Sequence, residues 1–229
     1  PFKPATRVQI PSGSLVAMNY RPLADTGITI SEVALGCWPI AGITSPGTSD
    51  AQSTATVRAC FDLGINHLDT AYMYGYQGES EKLIARALGR RRDEMVIATK
   101  GGLHWEGGRG AHDASPAVLR RECEESLRRL GTDYVDLYYL HAPDKNVPLA
   151  DSAGALKRLV EQGKARAIGV SNFNVEQLEA FSAECPIAAF QPPYNMLQRQ
   201  IEADTLPWCR ERGVAVLVYW PLLKGLLAG

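Results

Sequence analysis

Four titratable side chains of this sequence stand at or just beyond the ends of short apolar runs. They are Asp69 and Tyr74 in INHLDTAYMYGYQ, Lys100 at the end of EMVIATK, and His141 at the end of YVDLYYLH. A carboxylate, a phenol, an ammonium and an imidazole can together hold and transfer protons. If the apolar runs are strands of a parallel α/β barrel, their carboxyl ends open onto one face, where such barrels carry their active sites. These residues are therefore candidates for acid–base chemistry on that face.

The composition indicates one globular domain without a nucleic-acid or membrane partner. With 229 residues and 45% hydrophobic side chains, the chain can bury one sizeable core. The net charge of -1, with both signs interspersed, gives no basic stripe for nucleic acid. No run of about eighteen apolar residues appears, and the N-terminal residues lack the apolar core of a signal peptide. We predict a single domain over residues 18–229, preceded over residues 1–17 by a proline-rich extension of doubtful order.

The spacing of cysteines and histidines argues against a disulfide framework and against a metal site. The cysteines are odd in number, widely spaced and without a CxxC pair: Cys37, Cys60, Cys123, Cys185 and Cys209. His67, His104 and His112 lack the close helical spacing of a metal-binding pair. We expect no metal, and we expect the cysteines to be buried as small apolar side chains in a protein of the reducing cytoplasm.

The pattern along the chain predicts a hairpin followed by a series of strands. Between residues 20 and 33, two extended runs flank Asp25-Thr26-Gly27, a turn sequence that predicts a β-hairpin. Seven apolar runs then predict strands: VALGC (33–37), INHLD (65–69), EMVIATK (94–100), YVDLYYLH (134–141), RAIGVS (166–171), IAAFQ (187–191) and VAVLVYW (214–220).

Helical patterns lie between these strands. The clearest covers 116–130, with Ser115 as N-cap, Pro116 in the first turn and Gly131 just past the end. Because helices alternate with strands that are apolar throughout, we predict right-handed crossovers and a parallel sheet covered by helices.

Two folds fit this alternation, an eight-stranded barrel and a doubly wound sheet. The loop after the first strand, GCWPIAGITSPGTSD, lacks the GxGxxG of a dinucleotide-binding turn, which disfavours the doubly wound sheet. A barrel instead places polar residues after nearly every strand, and this sequence has Asp69, Lys100, His141, Asn172, Gln191 and Tyr219 there. We therefore predict a (β/α)8 TIM barrel. The glycine-rich GGLHWEGGRGAHD opens no helix and lacks GK[ST], so we predict a mobile loop or lid rather than a phosphate-binding loop.

Six motifs, in order, resemble the aldo-keto reductase family: GINHLDTAYMYG, IATK, LHAPD, GVSNF, QPPYN and YWPLLKGLLAG. The resemblance runs from Asn19 to Gly229, and MNYRPLADTGITISEVALG resembles the family's hairpin plug at the barrel bottom. It implies NAD(P)H-dependent reduction of aldehydes or ketones to alcohols, with NADPH as cofactor, NADH as a second possibility, and a small carbonyl compound as substrate. It leaves open which carbonyl compound is reduced and what the oligomeric state is.

The resemblance implies a catalytic tetrad of Asp69, Tyr74, Lys100 and His141. A hydride that arrives at a carbonyl carbon leaves negative charge on the oxygen, which then needs a proton. Tyr74 would supply it, and Lys100 would stabilise the phenolate form of Tyr74. Asp69 would hold Lys100 in place, and His141 would donate to the carbonyl oxygen and align the substrate.

The resemblance also implies the residues that bind the cofactor. It places Ser171, Asn172 and Gln191 on the nicotinamide carboxamide, with Tyr219 stacked on the ring. The pyrophosphate would be cradled by Leu222, Lys224, Gly225 and Leu226. On the loops after the first and third strands, Trp38 and Trp105 are candidates for the wall of the substrate pocket, with core packing as the alternative for either.

The sequence departs from the family pattern at its end. Gly229 follows directly after the seventh strand and its loop, so we expect the eighth βα unit, with the residues that grip the adenosine end, to lie outside these 229 residues. NADP versus NAD preference therefore stays open. One rival function is a cofactor-binding regulatory or interaction protein on the same fold without efficient turnover. Another is an unrelated barrel lyase or isomerase that uses a lysine Schiff base or a metal.

Overall fold

The computed structural model describes residues 18–43, 45 and 47–229, so the predicted N-terminal extension over residues 1–17 lies outside the described residues. In this part of the chain the strands are β1 (Tyr20–Pro22), β2 (Thr29–Ser31), β3 (Ala34–Gly36), β4 (His67–Asp69), β5 (Val96–Gly101), β6 (Leu103–Glu106), β7 (Arg109–His112), β8 (Val135–Leu140), β9 (Ala165–Ser171), β10 (Ala189–Gln191) and β11 (Ala215–Val216). The helices are α1 (Asp50–Asp62), α2 (Glu79–Leu88), α3 (Pro116–Leu130), α4 (Leu149–Glu161), α5 (Val175–Ser182) and α6 (Thr205–Glu211). Single 3-10 turns occupy Pro39–Ala41, Arg92–Glu94, Gln200–Glu202 and Leu223–Gly225.

The main sheet is parallel and has the strand order β11-β10-β9-β8-β5-β4-β3. These are the seven strands predicted from the sequence, with helices at the crossovers. Its outer strands are β3 and β11, and within the described residues no strand pairs with their second sides.

One hydrogen bond shows that this sheet is strongly curled. Gln191 at the end of β10 donates from Nε2 to Asp69 Oδ2 at the end of β4, across 2.6 Å. Those strands stand four places apart in the sheet order, so a flat sheet would separate them by about 19 Å at the usual strand spacing. The sheet therefore bends round on itself as in a barrel.

The curled sheet separates two apolar cores. Successive residues of a strand point to opposite faces, and the neighbours Tyr138 and Tyr139 of β8 accordingly belong to different cores, both without exposed surface. Tyr138 packs with the helices outside the sheet, and Tyr139 packs in the interior with Ala98 and Leu137. All five cysteines are buried, as predicted.

The N-terminal hairpin closes the lower end of the interior. The strands β1 and β2 pair antiparallel. The interior core contains Leu23, Ile28 and Ile30 of this hairpin together with Val96, the first residue of β5. Asn66, just before β4, ties the hairpin down by accepting from Ser31 N and donating to Thr29 O. The predicted hairpin and its position as a plug are confirmed.

Two local predictions need correction. Helix α3 covers Pro116–Leu130 and ends at Gly131 in the left-handed region with φ 66°, as predicted, but the Ser115 side chain makes no capping hydrogen bond. Asp113 Oδ1 instead accepts from Ser115 N at 2.8 Å. The segment 101–113, predicted as a mobile loop or lid, contains an antiparallel hairpin of β6 and β7 with Trp105 opposite Gly110, and its mobility stays a prediction.

Candidate active site

The carboxyl ends of the central strands bring the predicted tetrad together. Asp69 is the last residue of β4, which lies between β3 and β5 and is parallel to both. In the register of these strands, Asp69 is paired with Gly36 of β3 and with Ala98 of β5. Lys100 is two residues beyond Ala98 on β5 and so points to the same face as Asp69. His141 follows β8, and the loop after β4 turns back to place Tyr74 above Lys100.

Lys100 is the centre of the cluster. Its side chain is 1% exposed, and Nζ lies 2.5 Å from Asp69 Oδ1, 2.8 Å from the carbonyl oxygen of Thr70 and 3.2 Å from Tyr74 Oη. The three N–H donors of the ammonium therefore have three acceptors in a buried place. Burial on its own lowers the pKa of Lys100, but the attraction of Asp69 and of Tyr74 outweighs burial and leaves this pKa raised. Lys100 is thus a charged ammonium at neutral pH.

Tyr74 is held by rings on two sides as well as by Lys100. The ring of Trp38 packs edge-on against it at 4.9 Å between centroids, and the ring of His141 lies 6.0 Å away. Burial raises the pKa of Tyr74, and the nearby Lys100 lowers it only in part. The phenol therefore keeps its proton at neutral pH, while the cation that would stabilise the phenolate is already in place.

His141 is an uncharged imidazole at neutral pH. Burial, reinforced by Lys100 and His112, holds the pKa of His141 well below its ordinary value of 6.5. Its Nδ1 is buried and has no hydrogen-bond partner among the described residues. The main chain is fixed on both sides, since His141 N donates to Gly101 O at 3.0 Å and His141 O accepts from Asn172 Nδ2 at 3.0 Å.

The residues predicted to bind the carboxamide form a chain of hydrogen bonds beside the tetrad. Ser171 Oγ donates to Gln191 O at 2.7 Å, Asn172 Nδ2 donates to Ser171 Oγ at 3.1 Å, and Tyr219 Oη donates to Asn172 Oδ1 at 2.7 Å. Asn172 has φ 62°, a left-handed conformation that asparagine tolerates better than most residues. This series of hydrogen bonds ends at the tetrad, because the Gln191 side chain also donates to Asp69.

That last contact is the part of the site that sequence reasoning missed. Gln191 Nε2 donates to Asp69 Oδ2 while Lys100 takes Oδ1, so both oxygens of the carboxylate are occupied. The two residues stand 122 positions apart in the sequence, and no local spacing points to their contact. The Nε2 amide group of Gln191 therefore orients Asp69, while its Oε1 atom is left for the predicted role in carboxamide binding.

The two candidate pocket tryptophans lie on either side of the loop that carries Tyr74. Trp38 contacts the Tyr74 ring, as described above. Trp105 donates from Nε1 to Met73 O at 2.8 Å, and its ring lies 4.9 Å from that of Tyr76. Both side chains are partly exposed, so neither is simply part of the core.

The predicted pyrophosphate residues form a separate, exposed segment. Leu222, Lys224, Gly225 and Leu226 lie in or beside the 3-10 turn Leu223–Gly225, and Leu226 is 71% exposed. Lys224 Nζ lies 4.3 Å above the centre of the Trp220 ring. Within the described residues, no hydrogen bond or ion pair joins these four side chains to the tetrad. The structure thus brings the catalytic and carboxamide residues together and leaves this segment apart.

Within residues 18–43, 45 and 47–229, no group of three or more His, Cys, Asp or Glu side chains is arranged to hold a metal ion. The same residues contain no helix with the length and hydropathy needed to span a membrane.

A curled parallel sheet with a lysine, a carboxylate, a tyrosine and a histidine at its carboxyl edge is a barrel-type fold with a candidate acid–base site, and comparison with known proteins gives its family. The sequence profile of the Aldo/keto reductase family matches residues 32–229. The chain belongs to the aldo/keto reductase family.

Individual relatives agree with this assignment. The chain is 42% identical over 214 residues to the aldo-keto reductase YhdN of Bacillus subtilis (strain 168), covering 93% of this chain and 64% of YhdN. It is 36% identical to the NADH-specific methylglyoxal reductase of Escherichia coli (strain K12), covering 93% of this chain and 70% of that enzyme. Among solved structures it resembles the glycerol dehydrogenase AKR11B4 from Gluconobacter oxydans, with TM-score 0.83, 41% identity, and coverage of 92% of this chain and 64% of that one. The chain therefore spans less than two thirds of the length of YhdN and of the glycerol dehydrogenase.

Proposed function

We propose that this protein reduces aldehydes or ketones to alcohols with a reduced nicotinamide cofactor, and that Tyr74 is the proton donor. The observation that supports this most directly is the position of Lys100 Nζ, 2.5 Å from Asp69 Oδ1 and 3.2 Å from Tyr74 Oη. A buried cation in contact with a phenol favours loss of the phenolic proton when a basic oxygen approaches. Family membership and the relatives' names point to the same chemistry.

The proposed reaction adds one hydride and one proton to the substrate, which is a two-electron reduction of the carbonyl group to an alcohol. When bound, a reduced nicotinamide would supply the hydride to the carbonyl carbon. Tyr74, which burial keeps protonated, donates its proton to the carbonyl oxygen as negative charge develops there. The phenolate left on Tyr74 lies against the ammonium of Lys100 until a proton returns from solvent. Asp69 balances that ammonium and, held by Gln191, keeps it directed at Tyr74.

His141 is proposed to orient the carbonyl group. A neutral imidazole can donate one N–H to the carbonyl oxygen and does not compete with Tyr74 as an acid. The low pKa of His141, caused first by burial, supports this role. The Asn172 side chain and Gly101 fix the backbone of His141 and so fix the direction of its ring.

The carboxamide chain has the donor and acceptor set that a nicotinamide needs. Gln191 Nε2 is engaged with Asp69, so we propose that its Oε1 accepts from the carboxamide NH2. Ser171 and Asn172 complete the polar set, and Tyr219 is a partly exposed flat ring against which a nicotinamide can stack. Lys224, with Leu222, Gly225 and Leu226, is proposed to meet the pyrophosphate.

Cofactor choice and substrate class are further parts of the proposal. NADPH and NADH are both candidates, and the second is supported by the name of the NADH-specific methylglyoxal reductase. Trp38 and Trp105 are proposed as apolar walls for a small carbonyl compound. Five buried, free cysteines suit a reducing cytoplasm.

The test is a panel of aldehydes and ketones, methylglyoxal among them, assayed for NADPH and NADH oxidation with wild type and Tyr74→Phe. We expect turnover by the wild type and a fall in kcat of about 10²- to 10⁴-fold in Tyr74→Phe. Tyr76→Phe is the matched control, because Tyr76 lies in the same loop, is 59% exposed and has no hydrogen bond from its hydroxyl among the described residues. Equal loss in both variants would overturn the role of Tyr74. Tight cofactor binding without turnover of any carbonyl would favour the regulatory alternative.

A further inference from the structure

A completely buried glutamate lies behind the end of the strand that carries Lys100. Glu122 of α3 has a side chain that is 0% exposed. Its Oε2 accepts from Gly102 N at 2.7 Å, and its Oε1 lies 2.9 Å from His104 Nδ1. The second contact is a close approach without hydrogen-bond alignment, and both atoms lack any other partner among the described residues. A single carboxyl group therefore holds the end of β5 and the beginning of β6.

The hairpin that Glu122 holds touches both loops that carry catalytic residues. On β6, Trp105 donates from Nε1 to the carbonyl oxygen of Met73, the neighbour of Tyr74, at 2.8 Å. On β7, His112 Nε2 lies 3.2 Å from the carbonyl oxygen of Ala142, the neighbour of His141, and donates to it. The β6–β7 hairpin thus spans the catalytic face from the Tyr74 loop to the His141 loop. A displacement of the hairpin would therefore break its contacts to the neighbours of both Tyr74 and His141.

If this position served only to pack the core, a carboxyl group would be an unfavourable side chain there. A buried carboxyl must be desolvated, and an apolar side chain of similar volume usually fills such a place at least as stably. Burial, partly offset by the Gly102 N–H, raises the pKa of Glu122 to about 7. Charged and titratable groups also face it from several elements: Arg121 and Arg129 of α3, Asp113 before that helix, His104 of β6, Tyr138 of β8 and Tyr72 after β4. A role in fixing the hairpin gives a reason for a polar group here.

We propose that Glu122 is a positioning residue that, together with His104, seats the β6–β7 hairpin on the catalytic face and thereby controls the binding of the carbonyl substrate. Glu122 contacts no reacting atom and acts only through the hairpin. This inference rests on the proposed reductase function for its kinetic readout, while the seating of the hairpin can be measured without turnover.

The direction of the pH effect follows from burial. When the hairpin lifts, Glu122 meets water and its pKa falls back toward the ordinary value of 4.5. The seated hairpin therefore holds the Glu122 proton more tightly than the lifted one, so seating is favoured at low pH and weakens progressively as pH rises from about 4.5 to about 7. The KM of the wild type for the carbonyl substrate should accordingly rise across that range and level off above it.

Three variants test the proposal. Glu122→Leu removes both contacts, and we expect KM for the carbonyl to rise by about tenfold or more, with kcat and cofactor affinity little changed. Glu122→Gln keeps an acceptor for Gly102 and a donor for His104, so it should preserve the low KM and lose the rise between about pH 4.5 and pH 7. The control is Glu124→Leu on the same helix, where Glu124 is paired with Lys164 near the surface and away from the hairpin; it should match the wild type.

Hydrogen exchange of residues 103–112, measured by mass spectrometry at pH 6 and pH 8, is the readout that does not need activity. The hairpin amides should exchange faster in Glu122→Leu than in wild type, Glu122→Gln or Glu124→Leu. Faster exchange without carbonyl reduction in any protein would reject the proposed reaction and keep the seating role. An unchanged KM and unchanged exchange in Glu122→Leu would reject the positioning role, as would a KM in Glu122→Gln that still rises between about pH 4.5 and pH 7.

Discussion

Lys100 and Lys224 show how differently the two halves of the candidate site are built. Lys100 is 1% exposed, and each of its donors has an acceptor. Lys224 stands on an exposed turn, where its contact is with the Trp220 ring. Trp220, Leu223 and Lys224 also have positive φ angles of 56°, 45° and 55°, which cost bulky L-residues about 1 to 2 kcal/mol each. The catalytic half is therefore fixed by side-chain contacts within the sheet, whereas the half proposed to meet the pyrophosphate is exposed and has a strained backbone.

The largest difference between the halves should appear when each lysine is replaced by methionine. Lys100→Met leaves the Asp69 carboxylate without its buried partner, so the free energy of unfolding should fall by about 3 to 5 kcal/mol. Lys224→Met removes no ion pair and should change this free energy by less than about 0.5 kcal/mol. Urea unfolding followed by circular dichroism measures both. The double variant Asp69→Asn, Lys100→Met should recover part of the loss, and equal effects at the two lysines would remove the contrast.

A pair of glycine substitutions tests the same contrast through packing and backbone. A Cβ on Gly169 of β9 would stand 2.4 Å from Tyr139 Cε1 and 3.0 Å from Ala189 O, so Gly169→Ala should destabilise by about 1 to 3 kcal/mol through overpacking. Gly225 has φ 96° and no atom within 4 Å of such a Cβ, so Gly225→Ala should cost about 1 kcal/mol through backbone strain alone.

A second change separates these two causes. Tyr139→Leu makes room beside Gly169 and should reduce the added cost of Gly169→Ala, while leaving the cost of Gly225→Ala unchanged. The four unfolding free energies of each double-mutant cycle supply the comparison. Coupling of Tyr139 to Gly225, or none to Gly169, would contradict the interpretation.

The smallest expected effect is a pH dependence that belongs to the catalytic half alone, since residues 219–226 contain no histidine. Because burial holds the pKa of His141 well below 6.5, the unfolded chain takes up a proton as pH falls through 6.5 and the folded protein does not. The stability that this group contributes is present above that pH and is lost below it, by about 1 kcal/mol between pH 7 and pH 5.5. Because Glu122 and His67 also titrate in this range, the measurement is a difference: between pH 7 and pH 5.5 the unfolding free energy of wild type should change by about 1 kcal/mol more in the destabilising direction than that of His141→Gln.

The sequence predicted those parts of the molecule that depend on local pattern. The strands of the main sheet are short apolar runs bounded by turn residues, and α3 lies between Pro116 and Gly131, so neighbouring residues carry the information. The tetrad was recognised because Asp69, Tyr74, Lys100 and His141 each stand in a recognisable motif. The register of the strands then places them together without further requirement.

Other contacts depend on which distant residues the curled sheet brings together. Gln191 meets Asp69 across the interior, and Glu122 meets Gly102 from a neighbouring helix; neither contact follows from spacing in the sequence. The β6–β7 hairpin was not predicted, because the glycine-rich sequence GGLHWEGGRGAHD gives no strand pattern. The φ angles of Gly107 and Gly108, 55° and 78°, are those of a tight hairpin turn.

The hydrogen bond from Gln191 to Asp69 has a consequence for the order in which the protein matures. Asp69 and Lys100 are close in sequence and lie on paired strands, so their contact can form early in folding. Gln191 reaches Asp69 only after β8, β9 and β10 have joined the sheet and the sheet has curled, which closes a loop of 122 residues. The carboxylate gains its final direction at that late step. During refolding, catalytic competence should therefore return after most of the secondary structure, which activity recovery and circular dichroism followed in parallel would measure.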